Sequence, residues 1–378
     1  MPERIYNERE IELLKQVLAS KNLGSLNGKF TPEFERLFAE KIGVKYAIAM
    51  NSGMSALHAA VMCAGGAGSE VICDSLFIFG ALAVLYNNAI PKFVDIDPVT
   101  HTMDPEKIEG AINERTKAII VTHAWGLPAD MDRINKIAKK YNIVVIEDCA
   151  HAILAKYRDK YTGNLGDIGC FSFQASKQLS LGDGGMATTN NEEISKNLDL
   201  HAGAPTFFSI AHGLHYNYRM NELTAAVGIA QLEKIADFVG GLQKIASYYD
   251  MAIENCKWII PQKAPDRIHT YHYWAATFDG EKYGLSLEEF KEELKKEKIG
   301  VSVGYTNMPS YKHPVIRDKL AHAFHCKNYP FKVEYPDGLC PVAEKVIPSI
   351  LLAYTVKTEE QAKYDSEKLF NLIKKLEK

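Results

Sequence analysis

Between residues 46 and 189, short unbroken runs of β-prone apolar residues recur, most of them followed by a stretch with helical spacing. The runs are YAIAM (46–50), EVIC (70–73), KFVDI (92–96), KAIIVT (117–122), IVVIE (143–147), DIGCFSF (167–173) and GMATT (185–189). Most are continuously apolar rather than alternating, which is the pattern of strands covered on both faces. Helical patterns at 54–64, 79–88, 104–113 and 130–141 fall between them. Alternation of this length predicts an α/β fold with a mainly parallel central sheet wound by helices on both sides.

The flanks add to this plan. Residues 8–20 place Ile11, Leu14, Val17 and Leu18 on one helical stripe, and a second amphipathic helix is expected over about 32–42. The first helix precedes the first strand and is expected to pack away from the main sheet. Residues 222–256 read as one long helical stretch interrupted at Gly240–Gly241. Beyond it lie WII, a strand-like run at 270–278 expected to pack on the core, and a helix opened by Ser286 with Glu289 three residues on, a capping-box spacing. A terminal helix is expected over roughly 358–377. With 378 residues the chain has room for two units. We expect a large α/β domain with the N-terminal helices at 1–240 and a smaller α+β domain at 241–378.

Composition removes several classes of function. Hydrophobic residues at 47% and charged residues at 24% exclude wholesale disorder. A net charge of −3 without long blocks of like charge argues against a nucleic-acid partner. No apolar run approaches the ~18 residues that span a bilayer, so no membrane partner is expected. The charged start lacks the apolar core of a secretory signal. Seven cysteines without a CxxC pair suit reduced thiols, hence a cytoplasmic protein. His322, His325 and Cys326 have the look of metal ligands but lack a second cluster, and no metal is expected.

In an open parallel sheet, ligands bind where strands end and helices begin. After the first strand come Ser52, Gly53, Met54 and Ser55. Small residues at a helix start expose amides suited to a phosphate, although an ordinary N-cap has the same look. After the fifth run come Asp148 and His151. Asp148 is either a helix cap or a partner for a cationic ligand group. The sixth run leads through Ser172 to Lys177 and then to a glycine-rich turn, GDGG at 182–185. Lys177 is either a solvated loop lysine or a Schiff-base amine. Taken together, a phosphate nest, a carboxylate for a protonated pyridine nitrogen and a lysine before a glycine turn are what pyridoxal 5'-phosphate requires.

Those residues belong to longer motifs. They include Phe34-Glu35, Phe38-Ala39, Gly43 and Lys45-Tyr46-Ala47, then NSGMSAL, PKFVDID at 91–97 and HAWGLPADM at 123–131. EDCAHA at 147–152, the segment from Gly163 to Lys177, and YNYRMNELTAA at 216–226 continue the series. Over nearly its whole length the chain resembles the DegT/DnrJ/EryC1/StrS family of pyridoxal-phosphate sugar aminotransferases, of fold type I. The resemblance implies that Lys177 is the catalytic imine lysine, that Asp148 faces the pyridine nitrogen and that His151 lies against the ring. It implies a phosphate cradle of Gly53, Met54, Ser55 and Ser172, a stacking ring at Phe77 (with Phe79 second), and Asn217 reaching the site of a neighbouring subunit in a homodimer. Tyr305, Tyr311 and His313 fall where relatives carry substrate-contacting loops. Met54 stands where the family has Thr, Asp183 where it has Glu, and DSLFIFGA replaces the usual PSYTF segment. The implied activity moves an amino group from L-glutamate or L-glutamine to a nucleotide-linked keto sugar or a keto cyclitol. The alternatives are another sugar reaction such as dehydration, where relatives carry His instead of Lys, and a non-catalytic regulatory role.

Overall fold

The computed structural model describes residues 4–203, 215–327 and 329–377. Its central sheet has seven strands: β1 (Tyr46–Met50), β2 (Glu70–Asp74), β3 (Ile90–Val94), β4 (Thr116–Thr122), β5 (Val144–Asp148), β6 (Ile168–Ser172) and β7 (Gly185–Thr189). The spatial order is β1-β7-β6-β5-β4-β2-β3. Only β7 runs antiparallel, against both β1 and β6; the remaining pairs are parallel. Every expected run becomes a strand, though β3 starts and ends two residues earlier than KFVDI suggested. The chain leaves the sheet there because the Asp95 side chain turns away to accept the amides of Val342 and Ala343.

Seven helices accompany this sheet: α1 (Glu8–Ser20), α2 (Phe30–Ile42), α3 (Gly53–Ala64), α4 (Ile78–Tyr86), α5 (Met131–Tyr141), α6 (Glu192–Ala202) and α7 (Glu222–Ile253). The helix expected at 104–113 is instead two short 3-10 turns, Pro105–Lys107 and Glu109–Ala111. Gly110 in its middle weakens a helix of that length. The reverse occurs at Gly240–Gly241, where α7 continues unbroken for 32 residues. Buried Val239, Leu242 and Ile245 flank the glycine pair and hold the helix by packing, which outweighs propensity. Up to Val239, α7 packs with α2, Phe171 and Phe173; from Ile245 it packs with Trp258, Trp274 and Phe290.

Helix α1 lies along α7, away from the main sheet as expected. Its inward stripe is Glu10, Leu13 and Val17, whereas Ile11 and Leu18 are 44% and 60% exposed, so the stripe read from the sequence is rotated. The smaller sheet has the order Ile259–Pro261, Tyr273–Phe278, Ile350–Tyr354, Ser302–Val303, all antiparallel. The helix after Ser286 spans Leu287–Lys296 with the capping box in place, and the terminal helix spans Glu359–Leu376. No helix among the described residues is long and apolar enough to cross a membrane.

Candidate active site

At the C-terminal ends of β1, β4, β5 and β6, the chain encloses a cavity of about 410 Å³. Its lining includes Gly53, Met54, Thr122, Asp148, Ser172 and Lys177, so every strand of that group contributes. This is where a parallel sheet opens for a ligand.

Glu147, the residue before Asp148, explains why the strand-end motifs are so extended. It is fully buried, and its carboxylate accepts the amides of Gly163, Leu165 and Gly166 together with His123 Nε2. His123 Nδ1 in turn accepts the Ala129 amide at 3.1 Å. His123, Glu147 and Cys149 have the composition of a metal site. Protein groups already occupy both ring nitrogens and both carboxylate oxygens, so the trio is a hydrogen-bond hub that locks the end of β5. Asp148 is thereby aimed with its backbone fixed: its carbonyl accepts the His123 amide at 3.1 Å.

The charges of the cavity are coupled. Burial pushes the Asp148 carboxyl up, and the hydrogen bond from the Ala150 amide and the positive charge of Lys177 pull it back. Burial pulls the Lys177 amine down to about 8, while the negative charge of Asp148 raises it. A lysine so placed holds a much larger share of free, nucleophilic amine near neutrality than a solvated one. Asp74, at the end of β2, is pushed up to about 6, chiefly by burial. It accepts the Thr122 hydroxyl at 2.6 Å and the amides of Leu76 and Phe77 at 2.9 and 2.8 Å, which sets Phe77 at the start of α4.

Aromatic rings form one wall. Trp125 and His151 stack with centroids 5.7 Å apart, and His151 and His272 stack at 4.3 Å. Phe77 meets Trp125 and His151 edge-on at 4.9 and 5.4 Å. Trp125 Nε1, His151 Nδ1 and His272 Nδ1 are buried without a hydrogen-bond partner. A buried ring nitrogen without a partner carries a desolvation cost.

Helix α3 supplies the complementary end. Ser52 caps it by accepting the Ser55 amide at 3.0 Å, which leaves the first-turn amides of Gly53 and Met54 without an intrahelical acceptor. A Cβ on Gly53 would lie 2.6 Å from Ser172 Cβ, and one on Gly185 would lie 2.2 Å from the Ser52 carbonyl oxygen. Both glycines are therefore needed to press the α3 start against the end of β6, with Ser172 beside it. A helix N-terminus with free amides and a neighbouring hydroxyl is suited to an anion such as phosphate.

Gly53, Met54, Phe77, Asp148, His151, Ser172, Lys177 and Tyr305 thus share one cavity. Phe79 also lines it but is 49% exposed, whereas Phe77 is buried. Ser55 stands one step behind, its hydroxyl donated to Asn51 Oδ1 at 2.6 Å. Asn217 is exposed and outside the cavity, its carbonyl accepting the Asn51 side chain at 3.2 Å. Two expectations for substrate contact are corrected. Tyr311 is fully buried against Phe93, with its hydroxyl donated to Glu344 at 2.6 Å. His313 stands at the N-cap position of the short helix Pro314–Arg317, without a side-chain capping bond, and is not among the cavity's lining residues. The run at 270–278 is also only in part a core strand, since His272 and Tyr273 line the cavity. Trp125, His272 and Tyr273 are among the cavity-lining residues that the sequence reading did not single out.

With this geometry in hand, comparison with known proteins gives a consistent result. Residues 4–329 match the model of the DegT/DnrJ/EryC1/StrS aminotransferase family. The chain is 35% identical over 336 residues to GDP-perosamine synthase of Escherichia coli O157:H7, covering 85% of this chain and 91% of that one. It is 40% identical over 283 residues to dTDP-3-amino-3,6-dideoxy-alpha-D-galactopyranose transaminase of Aneurinibacillus thermoaerophilus, covering 73% and 76% respectively. Among solved structures, the aminotransferase from Psychrobacter cryohalolentis superposes with a TM-score of 0.87 over 100% of both chains, at 26% identity.

Proposed function

The chain belongs to the DegT/DnrJ/EryC1/StrS aminotransferase family and is an aminotransferase; we propose that it works through pyridoxal 5'-phosphate held beside Lys177, taking an amino group from L-glutamate or L-glutamine and delivering it to a nucleotide-linked keto sugar or a keto cyclitol. One observation carries this reading: a lysine amine held at about 8 and a buried carboxylate line the same cavity as a helix start whose first two amides have no intrahelical acceptor. The donor set fits the cofactor. Amides of Gly53 and Met54 with the Ser172 hydroxyl would hold its phosphate, and Asp148 would hold the proton on its ring nitrogen. His151 would lie against the ring and its hydroxyl, with Phe77 packed beside it.

When bound, that cofactor supplies a ring that draws electrons from the donor's α carbon. At rest, Lys177 would hold it covalently. With its Nζ free, Lys177 would take the proton from the donor's α carbon, as a general base with a depressed pKa does best near neutrality. The same group would return a proton to the acceptor's carbon in the second half of the reaction. Tyr305, 36% exposed and packed on Phe77 and Trp125, would meet the acceptor from the cavity wall. The large unit is assigned to 1–240 and the small one to 241–378, in line with the change of packing partners along α7. Free cysteines, several of them buried, suit a reducing compartment, and we assign the protein to the cytoplasm.

Mass spectrometry of products tests the reaction. Protein loaded with cofactor and aminated by glutamate or glutamine is offered a panel of nucleotide keto sugars and inososes. At least one is expected to gain an amino group in place of its keto oxygen; amination of none from either donor overturns the assignment.

Asn217 leads to a second test. It lies outside its own cavity, which supports its serving the phosphate of a second copy in a homodimer with shared sites. Mixing Lys177→Ala with Asn217→Ala subunits is then expected to restore activity toward half of native per heterodimer. One site of that heterodimer holds both lesions and the other holds none. If Asn217 served its own chain, each site would carry one lesion and the mixture would stay inactive.

A further inference from the structure

The loop carrying Lys177 is held at four points by groups distant in sequence. Tyr354 donates its hydroxyl to the Ser176 carbonyl at 3.2 Å. The Arg4 guanidinium donates to the carbonyl of Lys177 itself at 2.7 Å. Gln178 Nε2 donates to the His151 carbonyl at 2.7 Å. Tyr6 donates its hydroxyl to the Ser180 carbonyl at 3.2 Å. Two of the four anchors therefore come from the short segment ahead of α1.

That segment is itself fastened. Gln231 and Lys234 on α7 donate to the Ile5 carbonyl at 3.0 and 3.3 Å, and Lys234 also reaches Asn7 Oδ1 and Glu10 Oε1 at 3.1 and 2.6 Å. The Arg4 guanidinium carbon lies 6.0 Å from the centre of the Phe238 ring, and its Nε is buried without a partner. The path from the rigid helix to the lysine is thus short: α7, the backbone of Ile5, Arg4, the Lys177 carbonyl.

Inside the loop, Gln174 Oε1 accepts the Ser176 amide and hydroxyl at 2.8 and 2.7 Å, and the Ser180 hydroxyl donates to the Ala175 carbonyl at 3.1 Å. The loop's internal backbone bonds include Lys177 N–H to the Gln174 carbonyl and Leu181 N–H to the Phe173 carbonyl, both outside the sheet ladders. The Lys177 amine sits at the end of four methylenes, so a small rotation of the backbone is amplified at Nζ. Misplacing a reacting group by about 1 Å costs on the order of 10²-fold in rate. A charged donor on the carbonyl of that same residue is a strong brake on such rotation.

We propose that Arg4, assisted by Tyr6, is a positioning residue that sets the direction of the Lys177 side chain by holding its loop from α7. The proposal rests on the reading of Lys177 as the working amine.

The test compares Arg4→Met, Arg4→Lys and Tyr6→Phe in the full-length protein. Loaded enzyme gives kcat and KM for the amino-acid donor. Cofactor-free protein, labelled with acetic anhydride across a pH series and mapped by mass spectrometry, gives the titration midpoint of Lys177. Arg4→Met is expected to lower kcat by roughly 10- to 100-fold with little change in KM. Its Lys177 midpoint should rise from about 8 toward the ordinary lysine range, because a released loop lets water reach the amine. Arg4→Lys keeps a charged donor and is expected to restore most of both. Tyr6→Phe removes one hydroxyl from a side chain that is 54% exposed, so it folds in any case. It should lower kcat about threefold with a smaller rise of the midpoint. A role in stability alone would lower the melting temperature and leave the midpoint in place. A native midpoint in Tyr6→Phe and in folded Arg4→Met, or a loss that Arg4→Lys fails to repair, overturns the proposal. Turnover surviving in Lys177→Ala would instead strike the reading of Lys177, which separates the two failures.

Discussion

Lys177→Ala is expected to reduce turnover by at least about 10⁴-fold, since it removes both the covalent anchor and the group that moves the α proton. Cofactor should still bind through the amides of Gly53 and Met54 and the Ser172 hydroxyl, but borohydride should no longer fix it to the chain. In native protein the same treatment should place the reduced adduct on Lys177 alone, and peptide mapping that found it on another lysine would sink the assignment. The depressed pKa gives this variant a second signature. With a midpoint of about 8, roughly one amine in ten is free at pH 7, against about one in 2,500 for an unperturbed lysine. The folded value lies below the unfolded one, so the unfolded chain binds the extra proton between about 8 and the ordinary lysine range. The burial cost is fully present below pH 8 and is relieved as pH rises through that window. Cofactor-free native protein should therefore gain melting temperature relative to Lys177→Ala between pH 8 and 10. A pH-independent difference would show that the amine is not held in its neutral form.

The strands were legible because most of their positions are covered on both faces: β2 and β7 are buried throughout, and continuous runs without alternation record that directly. Lys177, Asp148 and Gly53 were legible for a related reason, since each follows a strand end and such ends converge in a parallel sheet. Residues that reach the cavity from elsewhere left no comparable trace. His272 precedes a strand of the small sheet and meets His151 only through tertiary packing across 121 positions of sequence. Trp125 belongs to a turn at the end of β4 with φ of +59°, a backbone state that its residue type does not announce. Tyr311 shows the opposite failure. Its loop position suggested a substrate contact, yet a large ring with one polar tip serves equally well as a buried plug, and Phe93 and Glu344 provide the matching surface and acceptor. Arg4 was silent because the carbonyl it holds belongs to a residue 173 positions away.

Asp148→Asn keeps the shape of the site and removes its buried charge, so it separates two roles that the geometry allows. Asp148 Oδ1 accepts the Ala150 amide at 3.0 Å, and an asparagine oxygen can do the same. If capping that turn were its whole contribution, the variant would lose no more than about 1 kcal/mol of stability and keep near-native turnover. If the carboxylate instead holds a proton on the cofactor's ring nitrogen, the substitution leaves that nitrogen without its buried counter-ion. Breaking a buried pair in this way costs about 3–5 kcal/mol, which corresponds to a loss of roughly 10²- to 10⁴-fold in turnover. The effect on Lys177 is a further discriminator. Burial lowers its amine and the Asp148 charge is what raises it, so the neutral variant should titrate Lys177 below 8. Acetic anhydride labelling of the cofactor-free protein reads that midpoint directly. We expect slow turnover, retained cofactor and a lowered Lys177 midpoint in the same variant; normal kinetics with an unmoved midpoint would reduce Asp148 to a cap.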